Sequence, residues 1–241
     1  MKRAIIFLAS LATLMASYSL LVRASLPQVP PNTWSATGDM VVSRAGASAV
    51  LLLDGRVLVT GGTNEGRASA SAERFSPTAG GFLATPSMES ARANHTSTVL
   101  EDGRVLVVGG INADGHATAS AELYDPNTNA WTPAAPLYHA RSGHSATLLW
   151  DGRVVIAGGD DTGLADATLE VFDPISSTFS PVDAVLSAAR TGHGAASLAD
   201  GRVLIVGGFD GTSTLASVDV YDPQTNTVSV GPSLTVGRAG H

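Results

Sequence analysis

The segment Asp54-Gly55-Arg56-Val57-Leu58-Val59-Thr60-Gly61-Gly62 decides the fold, because it returns from Asp102, Asp151 and Asp200 at spacings of 48, 49 and 49 residues. A fixed period of this length marks a repeat architecture. Other positions keep the same beat. Arg44, Arg92, Arg141, Arg190 and Arg238 open successive units, and all but the first are followed three residues later by His95, His144, His193 or His241; Ala47 stands in the first. Phe75, Tyr124, Phe172 and Tyr221 form one later series, and Trp34, Phe82, Trp131, Phe179 and Val228 form another.

The second unit carries four short strand signals: His95 to Leu100, Arg104 to Val108, Ala121 to Tyr124, and Ala130 to about Pro133. Strands at this spacing with no helical period between them predict an all-β protein. Asp-Gly joins the first two strands of every copy and suits a type I′ hairpin, whose central residues need positive φ. Asp125-Pro126-Asn127-Thr128-Asn129, with Asp173-Pro174 and Asp222-Pro223 at matching places, joins the third strand to the fourth. Each unit is thus a four-stranded antiparallel meander. Such a sheet has two apolar faces and buries them by packing around an axis as a propeller blade. The innermost strand must carry small side chains, as Ser145-Ala146-Thr147 and Gly194-Ala195-Ala196-Ser197 do.

An apolar run ending in Gly-Gly, then a spaced Tyr or Phe, then Trp or Phe seven residues on, resembles the kelch motif. The resemblance covers about residues 34 to 241, departing from the motif at Val228 and at the missing first histidine. It implies a β-propeller over 33–241, with repeats at about 44–91, 92–140, 141–189 and 190–237 and a fifth beginning at 238. Trp34 to Met40 reads as a closing strand completing a blade begun elsewhere. The expectation is therefore four complete repeats plus partial terminal elements, a fragment of a six- or seven-bladed ring; a four-bladed ring is the alternative.

Ahead of the repeats, Met1-Lys2-Arg3 precedes a largely apolar run from Ala4 to Val22. That is the pattern of a signal peptide over 1–24, diluted by Ser10, Ser17, Tyr18 and Ser19 against the competing reading as an uncleaved membrane anchor. Residues 25–32 form a Pro-rich linker that cannot be helix or central strand. The expected location is secreted, periplasmic or on the cell surface, with membrane contact only through an uncleaved N-terminal segment. Of the 241 residues 44% are hydrophobic, enough for a sizeable core, and none is cysteine, so disulfides, thiolate metal sites and cysteine nucleophiles are excluded. Without Lys2, Arg3 and Arg23 the chain holds 11 basic and 21 acidic residues, a formal charge of −10, which argues against nucleic-acid binding.

Residues repeated in every blade are expected to serve every blade. His95, His144, His193 and His241 could ring the channel mouth as metal-binding imidazoles, but the structural role is the stronger reading. Arg92, Arg141 and Arg190 are expected to pair within or between blades with the carboxylates of the series Glu73, Glu122, Glu170 and Asp219. Tyr124 and Trp131 are read as structural aromatics. Gly61-Gly62 is not a phosphate loop, since no helix follows; glycine there permits close backbone approach.

Strand parity puts the Asp-Gly and Asp-Pro turns on one face, nearly constant in sequence, and the loops after Gly-Gly on the other with the blade-to-blade links. Those loops differ in every copy, and loops on a rigid scaffold carry recognition. The candidate ligand-binding residues are Asn64, Glu65, Arg67, Asn112, Asp114, His116, Asp160, Asp161, Phe209 and Asp210. Calcium at Asp160, Asp161 and Asp166 lacks the required ligand count. No cofactor and no catalytic residue is expected. The favoured function is a non-catalytic binding or scaffold module for a protein or glycan. The alternative is a carbohydrate-active enzyme, because kelch propellers resemble the central domain of galactose oxidase and the sialic acid mutarotases. A copper radical site of the oxidase type is disfavoured by the missing cysteine and by the structural placement of Tyr124 and Tyr221.

Overall fold

The valine-rich second strand of each unit is apolar at every position except Thr60, so both of its faces must be covered, and this requirement organises the molecule. The structure, a computed structural model, describes residues 36–161 and 163–240. The expected signal segment 1–24, the linker 25–32, Trp34 and His241 lie outside the described residues. Four four-stranded antiparallel sheets follow one another. They consist of Ser48–Leu51, Val57–Thr60, Ala72–Ser76 and Gly81–Ala84; Thr96–Val99, Val105–Val108, Ala121–Asp125 and Ala130–Ala134; Ser145–Leu148, Val154–Ala157, Leu169–Asp173 and Thr178–Val182; and Gly194–Ser197, Val203–Val206, Val218–Asp222 and Thr227–Gly231. No helix occurs among the described residues. The strands of the second unit match the sequence expectation to within one or two residues at each end.

Alternation along the second strands of the second and third blades feeds two inter-blade cores each. Val105 and Val107 pack with Leu58, Ala72 and Met88 of the first blade, while Leu106 and Val108 pack with Val154, Ile156 and Phe172 of the third. Val155 and Ala157 repeat the arrangement toward Val203 and Ile205 of the fourth. The small-residue inner strands lie side by side in chain order around the axis.

The third and outer strands of the first three blades are clamped by cross-strand ring pairs, Phe75 with Phe82, Tyr124 with Trp131 and Phe172 with Phe179, with centroids 4.9–5.1 Å apart. Such pairs contribute about 0.5–1.5 kcal/mol beyond their burial. In the fourth blade Tyr221 faces Val228. The turn that follows each first ring needs one residue in the left-handed region, supplied by Gly80, Asn129, Ser177 and Asn226.

The Asp-Gly hairpins differ from the expected type I′. Only the glycine takes positive φ, 82° at Gly55 and 86° at Gly103, and none of the preceding aspartates is among the described residues with positive φ. The Gly55 N–H donates to the carbonyl of Leu52 and the Leu52 N–H to that of Arg56. This is a type I turn closed by a left-handed glycine. The aspartate is needed for its carboxylate, which accepts the Arg56 N–H and the Arg56 guanidinium.

Candidate functional site

The constant arginine of each unit ties together three strands. In the second blade the Arg92 guanidinium donates to the carbonyls of Gly109 and Ser120 and pairs with Glu122 at 2.8 Å, both side chains almost wholly buried. Glu122 in turn accepts the N–H groups of Glu89 and Ser90 from the link that enters the blade. Arg141 with Glu170 and Arg190 with Asp219 repeat the device, so the expected pairs form within each repeat. Asp219 is one carbon shorter: it takes the Ser187 N–H and hydroxyl on one oxygen, and its Oδ1 finds no partner. At Glu73 burial pushes the carboxyl up, but the Val41 and Val42 amides and the Arg44 guanidinium outweigh it and hold the group below its ordinary value.

The histidines reach backward to the preceding blade. Nε2 of His95 lies 2.7 Å from the Thr60 hydroxyl, that of His144 2.8 Å from Thr96, and that of His193 2.9 Å from Ser145. Burial first, and then the nearby arginine, drive His95 and His144 down to about 3, so both are neutral. Among the described residues no group of three or more His, Asp or Glu side chains is arranged to hold a metal ion. The Gly-Gly pair exists for the same seam. A Cβ on Gly61 would meet the Arg92 carbonyl at 2.3 Å and the His95 ring at 2.6 Å, and Gly62 donates its N–H to that same carbonyl.

Around the channel mouth runs a backbone chain that sequence reasoning missed. Asn94 donates to the carbonyl of Gly46, Gly143 to Asn94, Gly192 to Gly143 and Gly240 to Gly192. All five residues are left-handed, with φ between 53° and 68°. The signal was present in the sequence as a glycine, or an asparagine that tolerates this region, two residues after each opening arginine.

On this girdle sits a depression of about 510 Å3, lined by Asn94, His95, Ile111, Ser142, Gly143, His144, Asp160, Thr191, Gly192, His193 and Gly240. Its variable part has a simple origin. The residue after each Gly-Gly pairs by backbone with the residue after an opening arginine: Thr63 with Ala45, Ile111 with Ala93, Asp160 with Ser142, and Phe209 with Thr191. Ser142 Oγ donates to Asp160 Oδ1 at 2.7 Å and Thr191 Oγ1 to the same oxygen at 3.4 Å. Phe209, 37% exposed, pairs by backbone with Thr191 but does not itself line the depression.

Of the ten candidate residues, Asp160 lines the depression, and Phe209 pairs by backbone with the lining residue Thr191. The rest sit farther along their loops. Asn64 and Arg67 face each other in a two-stranded ribbon turned by left-handed Glu65. Asn112 spends its Oδ1 on the N–H groups of Asp114 and His116, leaving those two side chains exposed. Asp210 caps the Ser213 and Thr212 amides, which hold its carboxyl below the ordinary range. Asp161 is exposed beside Asp160. Ser142 and Thr191 were not singled out from sequence. They are the variable second position of the Arg-x-Gly-His opening, whose other positions depart only at Ala47 and Asn94, and that contrast is the signal that could have found them.

The opposite face is less uniform than its turn sequences imply. Leu53, Glu101 and Trp150 each lean over the turn glycine of the following blade, Gly103, Gly152 and Gly201. Leu53 and Trp150 remain well exposed there.

A family model described as "KLHDC2/KLHL20/DRC7 Kelch-repeats domain" matches residues 81–232. No curated protein matches significantly. Among solved structures, one titled "Structure of YjhT" superposes with a TM-score of 0.74 at 16% identity, covering 88% of this chain and 77% of its own. With four kelch-type blades in sequence, the arginine–carboxylate and Gly-Gly devices in place, and most of the chain matched, this protein belongs to the kelch-repeat domain family.

Proposed function

We propose that the chain is a non-catalytic binding module that recognises a protein or glycan through the loop face of its propeller. One observation carries this reading. At a single register position the blades present Thr63, Ile111, Asp160 and Phe209, four different chemistries on a frame whose supporting arginines, histidines and glycines barely change. Variation confined to one face of a rigid scaffold is how recognition is built. The shallow mouth suits an exposed epitope, and the net charge of −7 disfavours a nucleic acid partner.

The test is a screen of the full chain against glycan and peptide arrays, repeated with Phe209→Ala, Asp160→Ala and, on the turn face, Glu101→Ala. Loss with the first two and retention with the third is the expected pattern. Turnover of a sugar by the chain, with no stable ligand found, would replace this reading by the enzymatic one.

The same proposal places the protein outside the cytoplasm, whether secreted, periplasmic or on the cell surface. The basic and then apolar N-terminus supports it. Mass spectrometry of the mature N-terminus checks it: a start near residue 25 is expected, and an intact Met1 in a cytoplasmic fraction contradicts export.

A further inference from the structure

The notch at the channel mouth has its donors and acceptors distributed unevenly. Ser142 and Thr191 both direct their hydroxyl protons at Asp160 Oδ1. A hydroxyl has one proton and two lone pairs, so each of these has only acceptor capacity left. The carboxylate is acceptor-only, and its Oδ2 carries no hydrogen bond from a described residue. The backbone N–H groups of Gly143, Gly192 and Gly240 are consumed by the girdle.

Charge points the same way. Asp160 forms no ion pair among the described residues, whereas the buried arginines beneath the mouth are each matched by a carboxylate, Arg141 by both Glu170 and Asp166. His95 and His144, which also line the depression, are neutral. Asp160 is therefore a carboxylate without an ion pair among the described residues, beside two hydroxyl oxygens with free lone pairs; the aliphatic Ile111 and the Asn94 carboxamide also line the depression.

We infer that this notch binds an organic ammonium group. A primary ammonium is a compact cation with three donors and no acceptor, the complement of Asp160 and the two hydroxyl oxygens. A hard metal ion fits poorly, because calcium demands six to eight oxygen ligands and one carboxylate with two hydroxyls falls short. The inference rests on the loop face being the recognition face and names the chemistry recognised there. The same group is offered by a lysine side chain of a protein and by an amino sugar of a glycan.

The experiment is an NMR chemical-shift titration of the full-length chain with four probes: Nα-acetyl-lysine methylamide, its neutral Nα-acetyl-norleucine counterpart, glucosamine and glucose. Saturable shifts at the mouth are expected with the lysine or amino-sugar probe, and the one that binds more tightly identifies the source. The neutral partner of each should bind at least about 10-fold more weakly, as charge-assisted hydrogen bonds require. Asp160→Asn should weaken the ammonium probes by a similar factor, with Asp161→Asn one residue away as the unaffected control. Thermal unfolding of both variants excludes a folding defect. Glucose binding as well as glucosamine at an Asp160-dependent site would overturn the ammonium assignment and leave the recognition face standing. Binding that ignores both Asp160→Asn and Phe209→Ala would overturn both.

Discussion

Nε2 of His144 sits 2.8 Å from the hydroxyl of Thr96, a bond from the third blade to the inner strand of the second. With its counterparts at His95 and His193 it makes imidazole the fastener of each described blade seam.

Acid should loosen those seams. His95 and His144 titrate near 3 when folded against 6.5 as free side chains, so below 6.5 the unfolded chain binds protons that the folded chain cannot. Their contribution is complete above pH 6.5 and is lost as pH falls toward 3, at about 1.4 kcal/mol per pH unit for each histidine. Urea unfolding from pH 7 to 4 should show this slope. His95→Gln/His144→Gln should be less stable at pH 7 yet flatter across the window; an unchanged slope refutes the assignment.

The two classes of arginine pair should respond very differently to mutation. Arg92→Met strands Glu122 in a dry site and should cost about 3–5 kcal/mol. Arg56→Met breaks a pair whose side chains are 36% and 40% exposed and should cost about 1 kcal/mol or less. Denaturant midpoints of the two variants, measured side by side, decide whether burial sets the difference.

Gly109 and Gly115 separate two reasons for glycine. Both are left-handed, with φ of 62° and 85°. A Cβ on Gly109 would stand 2.6 Å from the Arg141 carbonyl and 2.7 Å from the His144 ring, whereas Gly115 has open space. Gly115→Ala should cost about 1–2 kcal/mol, the left-handed penalty alone. Gly109→Ala should exceed that by several-fold or fail to fold, and equal thermal midpoints would contradict the seam packing.

Tyr124 donates its phenolic hydrogen to Oδ1 of Asn129, and Tyr221 does the same to Asn226. Where the ring is phenylalanine, at Phe75 and Phe172, the left-handed turn residue is Gly80 or Ser177 instead. Tyr124→Phe should cost about 1 kcal/mol. Asn129→Gly should cost much less in the Tyr124→Phe background than in the parent protein, and additive losses would show that ring and turn are independent.

Much of the architecture was legible because its causes are local and repeated. The period of Asp-Gly-Arg, the largely apolar second strands and the small inner strands each follow from one position's environment, so they recur from copy to copy. The Asp-Gly turn type was misread because aspartate tolerates positive φ but here serves through its carboxylate on Arg56. The site was half legible. Asp160 and Phe209 stood out as variable loop residues, while Ser142 and Thr191, eighteen residues earlier in each case, did not.

The blade, its strand order, the positions of its turns and the face that varies are written in the chain, since these depend on spacing and on which residues alternate or recur. Packing of blade on blade brings each described histidine against the blade before it, closes the girdle of left-handed residues with hydrogen bonds from blade to blade, and lets Asp160 collect the hydroxyls of Ser142 and Thr191. Those relationships join residues from 18 to 49 positions apart. Hydrogen-bond direction and burial at such separations are properties of the packed ring, and no local pattern encodes them.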